Sequence, residues 1–369
     1  MTTESSPVDV NSIHHVEFVV YNAVQSAFWY CSSFGFQRFA QRTADNSVSY
    51  ALKNGQAIVV VTSYTSNNPH AKKLMKHGDF ILNITFEIDD HQGILQTLDK
   101  AGVKYSVITE CDTEGSIKKI EIIQENSDVL HTVIELKHFN GVFLPGYEAI
   151  EPLEIFQTIS RVPVILMDHV VLNFPIGEME TAADWYTNTL KLKRFWSVDD
   201  KIATSQYSAM RAWLMVNESH DVQITLAEGV KGRKGKSQIE EFIDFHGGSG
   251  VQHFALLVDD IISAVELMKS RSVDFLTIPD TYYDLLEERL NKTNLEVKED
   301  LQKIRKLNIL MDFDENGYLL QIFTKPMQDR PTLFVEIIQR NNFKGFGAGN
   351  FKALFDAVEI EQAKRGTLY

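Results

Sequence analysis

The sequence predicts an α+β fold built from a duplicated unit, in which one strand, one helix and several strands follow each other. Three observations support this prediction. The 369 residues are enough for two domains or for one large pseudo-symmetric domain. Alternating apolar runs predict strands, and runs with helical spacing that stop at glycine predict helices. Three pairs of segments match each other in the same order in the two halves, which indicates an internal duplication.

The first half is predicted to contain the repeating unit twice. The predicted elements in chain order are a strand at 13–20, a helix at 22–34, strands at 47–52 and 57–62, a strand at 80–88, a helix at 92–101, and strands at 117–123 and 131–136. Gly35 and Gly102 follow the two helices directly and predict their ends. Near the C terminus, strands at 318–324 and 332–339 precede a glycine-rich stretch and a last helix.

Domain boundaries follow from the repeat. The strand-poor segment between Pro145 and Pro163 is the predicted boundary between the halves. We therefore expect a disordered tail at 1–12, an N-terminal domain at 13–152 and a C-terminal domain at 160–369.

Charge and cysteine content narrow the class of protein. The net charge of −14 argues against a general surface for nucleic acid or for acidic membranes. The two cysteines, Cys31 and Cys111, form no CxxC motif, so zinc held by thiolates is excluded and a reducing cytosol is favoured. The first residues lack the apolar segment of a secretory signal, and no apolar run approaches the roughly 18 residues of a membrane span. These features predict a cytoplasmic protein without a nucleic-acid or membrane partner.

The repeat also aligns residues that can carry chemistry. The segments SIHHVEFVV and LMDHVVLNF match, FILNITFEIDDH matches VQHFALLVDDI, and HTVIELKH matches TLFVEIIQR. These alignments pair His15 with His169, Asn83 with His253, and Glu135 with Glu336.

The C-terminal set predicts a metal site. His169, His253 and Glu336 are each predicted in mid-strand, at the same place in successive modules and at nearly equal intervals along the chain. Two imidazoles and one carboxylate on one face of a metal leave the opposite positions open, which suits Fe(II) and oxygen chemistry. Asn83 is a poor substitute for a histidine ligand. The N-terminal half is therefore predicted to bind no metal and to serve as a scaffold and dimer surface.

Each of these residues also has a purely structural interpretation. Glu336 could lie on the open face of its strand, and a histidine in a strand is often a satisfied core or surface residue. We retain that interpretation for His15, which follows His14. The remaining histidines lack the support of the repeat and are predicted on the surface: His70, His77, His91, His131, His138, His220 and His246.

Several motifs together resemble a known family. MDHVVLNF, GVQHFALLVDDI, LLQIFTKPMQDRPTLFVEIIQR and GFGAGNFKALF closely resemble the 4-hydroxyphenylpyruvate dioxygenases of the vicinal-oxygen-chelate superfamily. The resemblance covers nearly the whole chain after residue 12 and is densest from Lys236 to Gly366. It implies a glyoxalase-like fold in which tandem βαβββ modules form two open barrels. It also implies a homodimer in which the C-terminal domain is catalytic and holds Fe(II) through His169, His253 and Glu336.

The resemblance further assigns roles within the pocket. It implies that Gln252, Gln321 and Asn350 are catalytic. The implied substrate-binding residues are Gln238, Phe323, Phe334, Phe346 and Phe351, with Ala212, Thr225 and Ala227 in the pocket wall. The last helix, Lys352 to Arg365, would form a gate over the site. Without the resemblance, the glutamines would be read as surface or sheet residues, the phenylalanines as core, and the helix as a plain amphipathic one.

The implied reaction is that of an internal 2-oxo-acid oxygenase in tyrosine and phenylalanine catabolism. The substrates are 4-hydroxyphenylpyruvate, an aromatic 2-oxo acid, and O2; the products are homogentisate and CO2. The substrate's carboxylate and keto oxygen would chelate the iron at the positions that the protein leaves free. Such a reaction needs no serine or cysteine nucleophile, and the sequence shows no convincing triad.

The chain departs from the family in the pocket wall. The family usually has serine where this chain has Ala212, and P-x-N where it has Thr225 and Ala227. A site that has lost a polar partner discriminates weakly, so the preferred ring substituent stays open. The alternatives are a 4-hydroxymandelate synthase, an oxygenase of another 2-oxo acid, and a non-catalytic metal- or ligand-binding paralogue. Thr225 favours the synthase, whereas Phe351 and the FGAGNF motif argue against it.

Overall fold

The computed structural model describes residues 10–44, 46–64, 68–125, 127–198, 204–345 and 347–368. The strands of the first half are β1 Val10–Val19, β2 Gln37–Ala44, β3 Ser47–Asn54, β4 Ala57–Tyr64, β5 Phe80–Ile88, β6 Tyr105–Asp112, β7 Gly115–Ile123, β8 Leu130–Glu135 and β9 Glu148–Ala149. Those of the second half are β10 Val164–Phe174, β11 Lys193–Val198, β12 Met210–Val216, β13 Gln223–Gly229, β14 Gly250–Val258, β15 Leu310–Phe313, β16 Tyr318–Phe323 and β17 Phe334–Asn341.

Helices connect these strands. They are α1 Ala23–Phe34, α2 Pro69–His77, α3 His91–Ala101, α4 Glu154–Thr158, α5 Met179–Thr189, α6 Gln238–His246, α7 Ile261–Ser270, α8 Asp280–Leu290, α9 Leu301–Leu307 and α10 Phe351–Arg365. A short 3-10 helix, Ala348–Asn350, leads into α10. Local signals in the sequence explain several helix ends. The Asn22 side chain accepts a hydrogen bond from the Gln25 backbone at the start of α1, and Gly35 adopts a φ of 71° at its end.

The strands form two sheets with the same topology, apart from the short strand β9 at one edge of the first sheet. The first has the order β6-β7-β8-β5-β1-β4-β3-β2-β9, and the second has the order β11-β12-β13-β10-β14-β17-β16-β15. Each sheet therefore joins two βαβββ modules through the antiparallel pairing of their first strands, β1 with β5 and β10 with β14. Within each module the first and last strands pair in parallel. The predicted α+β fold of tandem βαβββ modules is confirmed.

One hydrophobic core contains residues of both halves. The rings of Phe18 in β1 and Phe254 in β14 lie 6.1 Å apart within it. His131 of β8 reaches across to α5, where its Nε2 lies 2.6 Å from the Tyr186 hydroxyl. The two sheets are thus joined through the faces that carry these residues.

The other faces of the two sheets differ. On the first sheet, Phe143 and Tyr147 from the segment after β8 pack against Ala51 and other small or aliphatic residues. The Phe143 ring also lies parallel to the His14 ring at 5.5 Å. On the second sheet, the corresponding face lines a pocket that α6 and α10 cover. This difference confines the candidate site to the second half.

Two expectations about the chain's organisation can be compared with the structure. β1 begins at Val10, so residues 10–12 belong to a strand, and the predicted tail was too long; residues 1–9 lie outside the described part of the chain. α4 is the helix that separates the last strand of the first sheet from the first strand of the second. It lies within the segment predicted as the boundary.

The prediction of surface histidines was wrong for four of the seven residues. His77, His91, His131 and His246 are buried, whereas His138 is exposed. The His77 and His246 rings stack at 4.2 Å across the junction of the two halves, and His77 Nδ1 donates to the His246 carbonyl. Contacts between distant segments leave no periodic signal in either one, so sequence periodicity could not find them.

Replacing His131 with glutamine is expected to weaken the dependence of stability on acid. Burial lowers the pKa of His131 to about 3, from an ordinary 6.5. Between these values the folded protein binds fewer protons than the unfolded chain, so its free energy of unfolding falls as the pH falls. For each pH unit in this range, the unfolding free energy of the variant should fall by up to about 1.4 kcal/mol less than that of the native protein. Urea unfolding of the metal-free protein at pH ~7 and ~5 measures it.

The matched control is His138→Gln, because His138 is exposed. The control should keep the native difference in unfolding free energy between the two pH values. If His131→Gln also kept it, the buried imidazole would not be a source of acid sensitivity.

Candidate metal centre and pocket

Two β-bulges position a pair of histidines. The register of β10 against β14 shifts by one residue at Asp168 and again at Gln252. Each of these residues directly precedes a histidine, His169 in β10 and His253 in β14. Bulges re-aim side chains, and here each preceding side chain reaches its own histidine. His169 Nδ1 donates to Asp168 Oδ1 at 2.8 Å, and His253 Nδ1 donates to Gln252 Oε1 at 3.0 Å.

Glu336 completes the cluster from β17. The parallel pairing of β14 with β17 sets Glu336 beside Ala255, which also pairs with His169. Glu336 Oε2 lies 3.1 Å from His169 Nε2 and 3.4 Å from His253 Nε2. One ligand atom from each of the three residues lies within 4.8 Å of the other two, and all three residues are buried. Two imidazole nitrogens and one carboxylate oxygen can therefore hold one metal ion.

The predicted place of Glu336 within its module was wrong. His169 and His253 do occupy the same place, on the first strands of the third and fourth modules. Glu336 lies instead on the last strand of the module that begins with His253. Its nearly equal interval along the chain is a coincidence, because the parallel pairing within one module brings it to the histidines.

Arg340 anchors the cluster from the end of β17. Its guanidinium binds Asp168 through two hydrogen bonds, Nε to Oδ2 at 2.9 Å and Nη2 to Oδ1 at 2.8 Å. Arg340 Nη1 also donates to the Gly345 carbonyl at 2.8 Å. Paired hydrogen bonds of this kind fix the orientation of a carboxylate. Arg340 thereby fixes Asp168, and Asp168 fixes the ring of His169.

The electrostatics of the cluster favour a positive charge at its centre. Burial alone would lower the pKa of His169, but the carboxylates of Glu336 and Asp168 outweigh it and raise this pKa to about 9. Burial alone would raise the pKa of Glu336, but the two histidines hold it at about 2. Burial lowers the pKa of His253. A bound metal cation would replace the proton of His169, because ligating imidazoles are neutral.

The first sheet keeps the bulges without the metal ligands. The register of β1 against β5 shifts at His14 and at Leu82, the residues that precede His15 and Asn83. The predicted pairing of His15 with His169 and of Asn83 with His253 agrees with this register. The His14 and His15 Nδ1 atoms lie 2.7 Å apart, so two imidazoles occupy the place that a carboxylate and an imidazole occupy in β10.

The predicted pairing of Glu135 with Glu336 was wrong by three residues. β5 pairs with β8 in the register in which β14 pairs with β17, and this register makes Thr132 the equivalent of Glu336. The Thr132 hydroxyl donates to Asn83 Oδ1 at 3.0 Å. A neutral pair thus takes the place of the histidine and glutamate of the second sheet.

A cleft opens beside the candidate metal cluster. The space between its walls amounts to about 580 Å3, including the part open to solvent. The structure places these sequence-predicted residues in its lining: Ala212, Thr225, Ala227, Gln238, Gln252, Gln321, Phe323, Phe334 and Phe351, together with His169, His253 and Glu336. The wall is mainly apolar, with a few polar groups that converge on the space, as is typical of small-molecule sites.

Two predicted residues are placed differently. Asn350 is fully buried and lies outside the described lining; its Oδ1 accepts a hydrogen bond from the Tyr282 hydroxyl at 2.7 Å. Phe346 lies outside the described residues. The adjacent Gly347 has a φ of 73°, and a Cβ there would fall 2.6 Å from the Gln321 amide nitrogen. The glycine is thus required for the close approach of this loop to Gln321.

Sequence reasoning missed part of the lining. The lining residues without a prediction are Val171, Met210, Ile239, Ile338 and Arg340. A signal existed for Val171 and Ile338, since each lies two residues after a predicted ligand and therefore on the same face of its strand. Arg340 lies four residues after Glu336 on the same strand and therefore had the same signal, whereas the role of Asp168 had none because it depends on a bulge.

Two further observations concern membrane-spanning helices and the cysteines. No helix formed by the described residues has the length and apolar character needed to cross a bilayer. Both cysteines are free thiols, Cys31 buried and Cys111 exposed.

Comparisons with known proteins agree with this geometry. The model of the glyoxalase/bleomycin resistance protein/dioxygenase superfamily matches residues 12–125 and 166–322. A 4-hydroxyphenylpyruvate dioxygenase of Caenorhabditis elegans is 44% identical over 365 residues, which cover 96% of this chain and 93% of the relative. A putative protein of the same organism is 65% identical over 98% of this chain and 99% of its own length.

A solved structure also matches nearly the whole chain. It is a triple mutant of 4-hydroxymandelate synthase from Streptomyces coelicolor, with a TM-score of 0.83 and 29% identity over 96% of this chain and 99% of that one. The resemblance drawn from the sequence motifs is confirmed by these matches. The chain belongs to the 4-hydroxyphenylpyruvate dioxygenase family, within the glyoxalase/bleomycin resistance protein/dioxygenase superfamily.

Proposed function

We propose that this protein is a dioxygenase that converts 4-hydroxyphenylpyruvate and O2 to homogentisate and CO2, with Fe(II) as its metal. The observation that carries the proposal is the buried cluster of His169, His253 and Glu336 at one end of an apolar cleft. The relatives named 4-hydroxyphenylpyruvate dioxygenase add support, since they match nearly the full chain at 41–44% identity.

The donor set fits a ferrous ion. Two imidazoles and one carboxylate on one side of an ion leave other coordination positions free for ligands. Asp168 and Gln252 hold the Nδ1 atoms of the two histidines, which leaves both Nε2 atoms for the metal. When bound, Fe(II) would supply chelation of a 2-oxo acid and reactivity toward O2.

Aromatic side chains confine a substrate ring next to this cluster. The Phe334 ring stacks on the His253 ring at 4.6 Å, and the Phe323 ring stands nearly perpendicular to His253 at 6.0 Å. These contacts fix both phenylalanines, so the wall they form is rigid. A planar ring held between such walls has few orientations, which favours one reacting geometry.

Polar groups at the cluster orient the acid end of a substrate. Gln252 accepts from His253 through Oε1, so its amide NH2 group is directed away from the histidine and can donate to a bound oxygen. Gln321 lines the same cleft, and the backbone of Gly347 lies close to its amide group. Asn350 supports the loop before α10 through Tyr282 instead of lining the cleft in this state.

Helix α10 covers the cleft and excludes water. Phe351 and Leu354 form part of the lining. The far end of the helix is fixed by Arg365, which donates to Glu241 of α6 at 2.8 Å. A helix that is anchored at its end and covers the cleft at its start can act as a gate for substrate.

Product analysis tests the reaction. Protein loaded with Fe(II) without oxygen, then given 4-hydroxyphenylpyruvate and O2, should form homogentisate and CO2 in equal amounts. His253→Ala should lose this activity by a factor of about 1,000 or more, because a metal ligand is removed. Chromatography of the products with CO2 capture measures both species.

The matched control for that experiment is His138→Ala. His138 is an exposed histidine of the first half, whereas the cleft is lined by residues of the second half. It should keep the native rate. Iron bound at one equivalent with neither aromatic product formed would refute the proposed reaction and leave another 2-oxo acid or a binding role.

A second candidate function is the formation of 4-hydroxymandelate, which oxidises the benzylic carbon instead of the ring. Two observations favour it. Ala212 and Ala227 leave the far wall of the cleft without the serine and asparagine expected from the family. A solved structure that matches nearly the whole chain is a mutant of 4-hydroxymandelate synthase. The same experiment separates the two reactions, because the dominant product would then be 4-hydroxymandelate.

Arg340→Met is expected to weaken metal binding by about 10- to 100-fold, as is usual for the loss of a residue that orients a ligand. The change leaves the buried Asp168 carboxylate with the hydrogen bond from His169 but without the two from Arg340, so the orientation of the His169 ring is less constrained. Calorimetric titration of metal-free protein with Fe(II) under nitrogen measures the affinity.

Arg305→Met serves as the control for this titration. Arg305 also pairs with two carboxylates, those of Asp280 and Asp284, but these are exposed and remote from the cluster. Equal affinities for the native protein and Arg340→Met would show that Asp168 orients His169 without help.

We further infer a cytoplasmic homodimer, in which the first half supplies the dimer surface. The free thiols support a reducing compartment. Helix α1 exposes Val24 and Phe28, and the neighbouring α4 exposes Ile155. An apolar surface formed by adjacent helices is typical of a site for another protein chain. A second copy of this chain is the occupant we propose.

The double variant Val24→Ser, Phe28→Ser should shift the protein from dimer to monomer, because it removes apolar area from this surface. Light scattering after size-exclusion chromatography measures the mass. Leu285→Ser is the control, since Leu285 is an exposed leucine on α8. A dimer that survives the double variant would place the interface elsewhere.

A further inference from the structure

A row of small residues crosses the second sheet on its pocket side. Ala212 of β12 pairs with Ala227 of β13, Ala227 pairs with Asn173 of β10, and Asn173 pairs with Gly250 of β14. Asn173 is the polar member of this row. The two alanines line the cleft, and a Cβ on Gly250 would fall 2.3 Å from the His246 ring.

The side chain of Asn173 lies on the pocket face of β10. The pairing of β10 with β13 is regular from Val170 to Phe174, so successive side chains alternate between the two faces. Leu172 and Phe174 belong to the core shared by the two halves. Val171 lines the cleft. Asn173 has the same orientation but is fully buried and lies behind the lining residues, beside Ala227.

The side-chain amide of Asn173 is buried without hydrogen-bond partners among the described residues. The residue is fully buried, and neither Oδ1 nor Nδ2 has a partner within the described structure. The hydroxyl of Thr225, which pairs with Val171, is also buried without a partner. A buried polar group left unpaired costs about 1–3 kcal/mol, so this part of the wall is suited to a ligand or water that supplies the missing bonds.

The position of Asn173 fits the far end of a ligand bound at the cluster. Asn173 lies four residues along β10 from His169, a distance of roughly 13 Å at the usual rise of a strand. A 2-oxo acid held at the cluster by its carboxylate and keto oxygen would direct its side chain along the cleft toward this row. Ala212 and Ala227 are the small residues that leave space there.

We propose that Asn173 is a specificity-determining residue that hydrogen-bonds a ring hydroxyl of the substrate, with the Thr225 hydroxyl beside it. The substrate class is thus an aromatic 2-oxo acid with a hydroxyl at the far edge of its ring. This inference rests on the proposed function for the binding mode. It differs from that function in assigning recognition to β10, instead of to the positions of Ala212 and Ala227.

Ligand binding without turnover tests the inference. Fe(II)-loaded protein under nitrogen is titrated calorimetrically with 4-hydroxyphenylpyruvate and with phenylpyruvate. The native protein should bind the hydroxylated compound at least about 10-fold more tightly, since a site built to hydrogen-bond a hydroxyl rejects the analogue without it. Asn173→Leu should reduce this preference by about 10-fold or more and leave the affinity for phenylpyruvate nearly unchanged.

A second variant keeps the test decisive if Asn173→Leu does not fold. Ala227→Val adds bulk to the cleft wall directly beside Asn173 without altering the amide itself, and it should also reduce the preference. Asn188→Leu, on the exposed face of α5, is the matched control and should keep the native ratio.

The outcomes separate this inference from the proposed function. A preference that falls in both variants supports the role of Asn173, even if turnover yields neither homogentisate nor 4-hydroxymandelate. Equal losses of affinity for both compounds, or a native protein without preference, would overturn it. Activity toward 4-hydroxyphenylpyruvate with an unchanged ratio in Asn173→Leu would support the reaction and overturn this assignment.

Discussion

The two β-bulges at Asp168 and Gln252 are the constraint on which the candidate site depends. A regular strand would point each of these residues away from the histidine that follows it, because successive side chains alternate. The bulges allow both members of each pair to serve one site. Burying two imidazoles and a carboxylate side by side costs free energy, because these polar groups lose their contact with water. Hydrogen bonds from neighbouring side chains offset part of this cost. Arg340 extends the support by compensating the charge of Asp168.

The first sheet shows that the bulges alone do not make a site. It has the same two register shifts, yet Asn83 and Thr132 replace a histidine and a glutamate with a neutral hydrogen-bonded pair. Phe143 packs over the same face and contacts His14 and His15. The two halves therefore share the backbone geometry, and the cluster of candidate metal ligands occurs in the second half. The filled half forms a shared core with the half that retains a cleft, which makes it a structural support.

The sequence was sufficient for the features that repeat. The module order and the equivalence of His15 with His169 followed from matched segments, whereas the predicted residues of the pocket wall followed from the resemblance to a known family. Glu336 was identified for a partly wrong reason, because short apolar strands can be aligned in several registers. Only the strand pairing, β14 with β17 and β5 with β8, identifies Thr132 as the equivalent of Glu336. His131 and His246 were misplaced because their burial depends on contacts between the halves. Strand alternation places Asn173 on the face of His169, but the sequence could not show that its amide is buried without hydrogen-bond partners.

The pocket wall links recognition to the outcome of the reaction. A ring hydroxyl can be bound by residues of β12 and β13 or by a residue of β10. The ring would then lie at different positions across the cleft, while the acid end of the substrate stays at the cluster. Asn173 shares its strand with His169, so a ring held there lies along the line between these two residues. Such a change would alter which carbon faces a bound metal. Ring oxidation, which also requires migration of the side chain, and benzylic oxidation begin at different carbons. The replacement of polar groups by Ala212 and Ala227 can therefore alter the product without any change in the metal ligands.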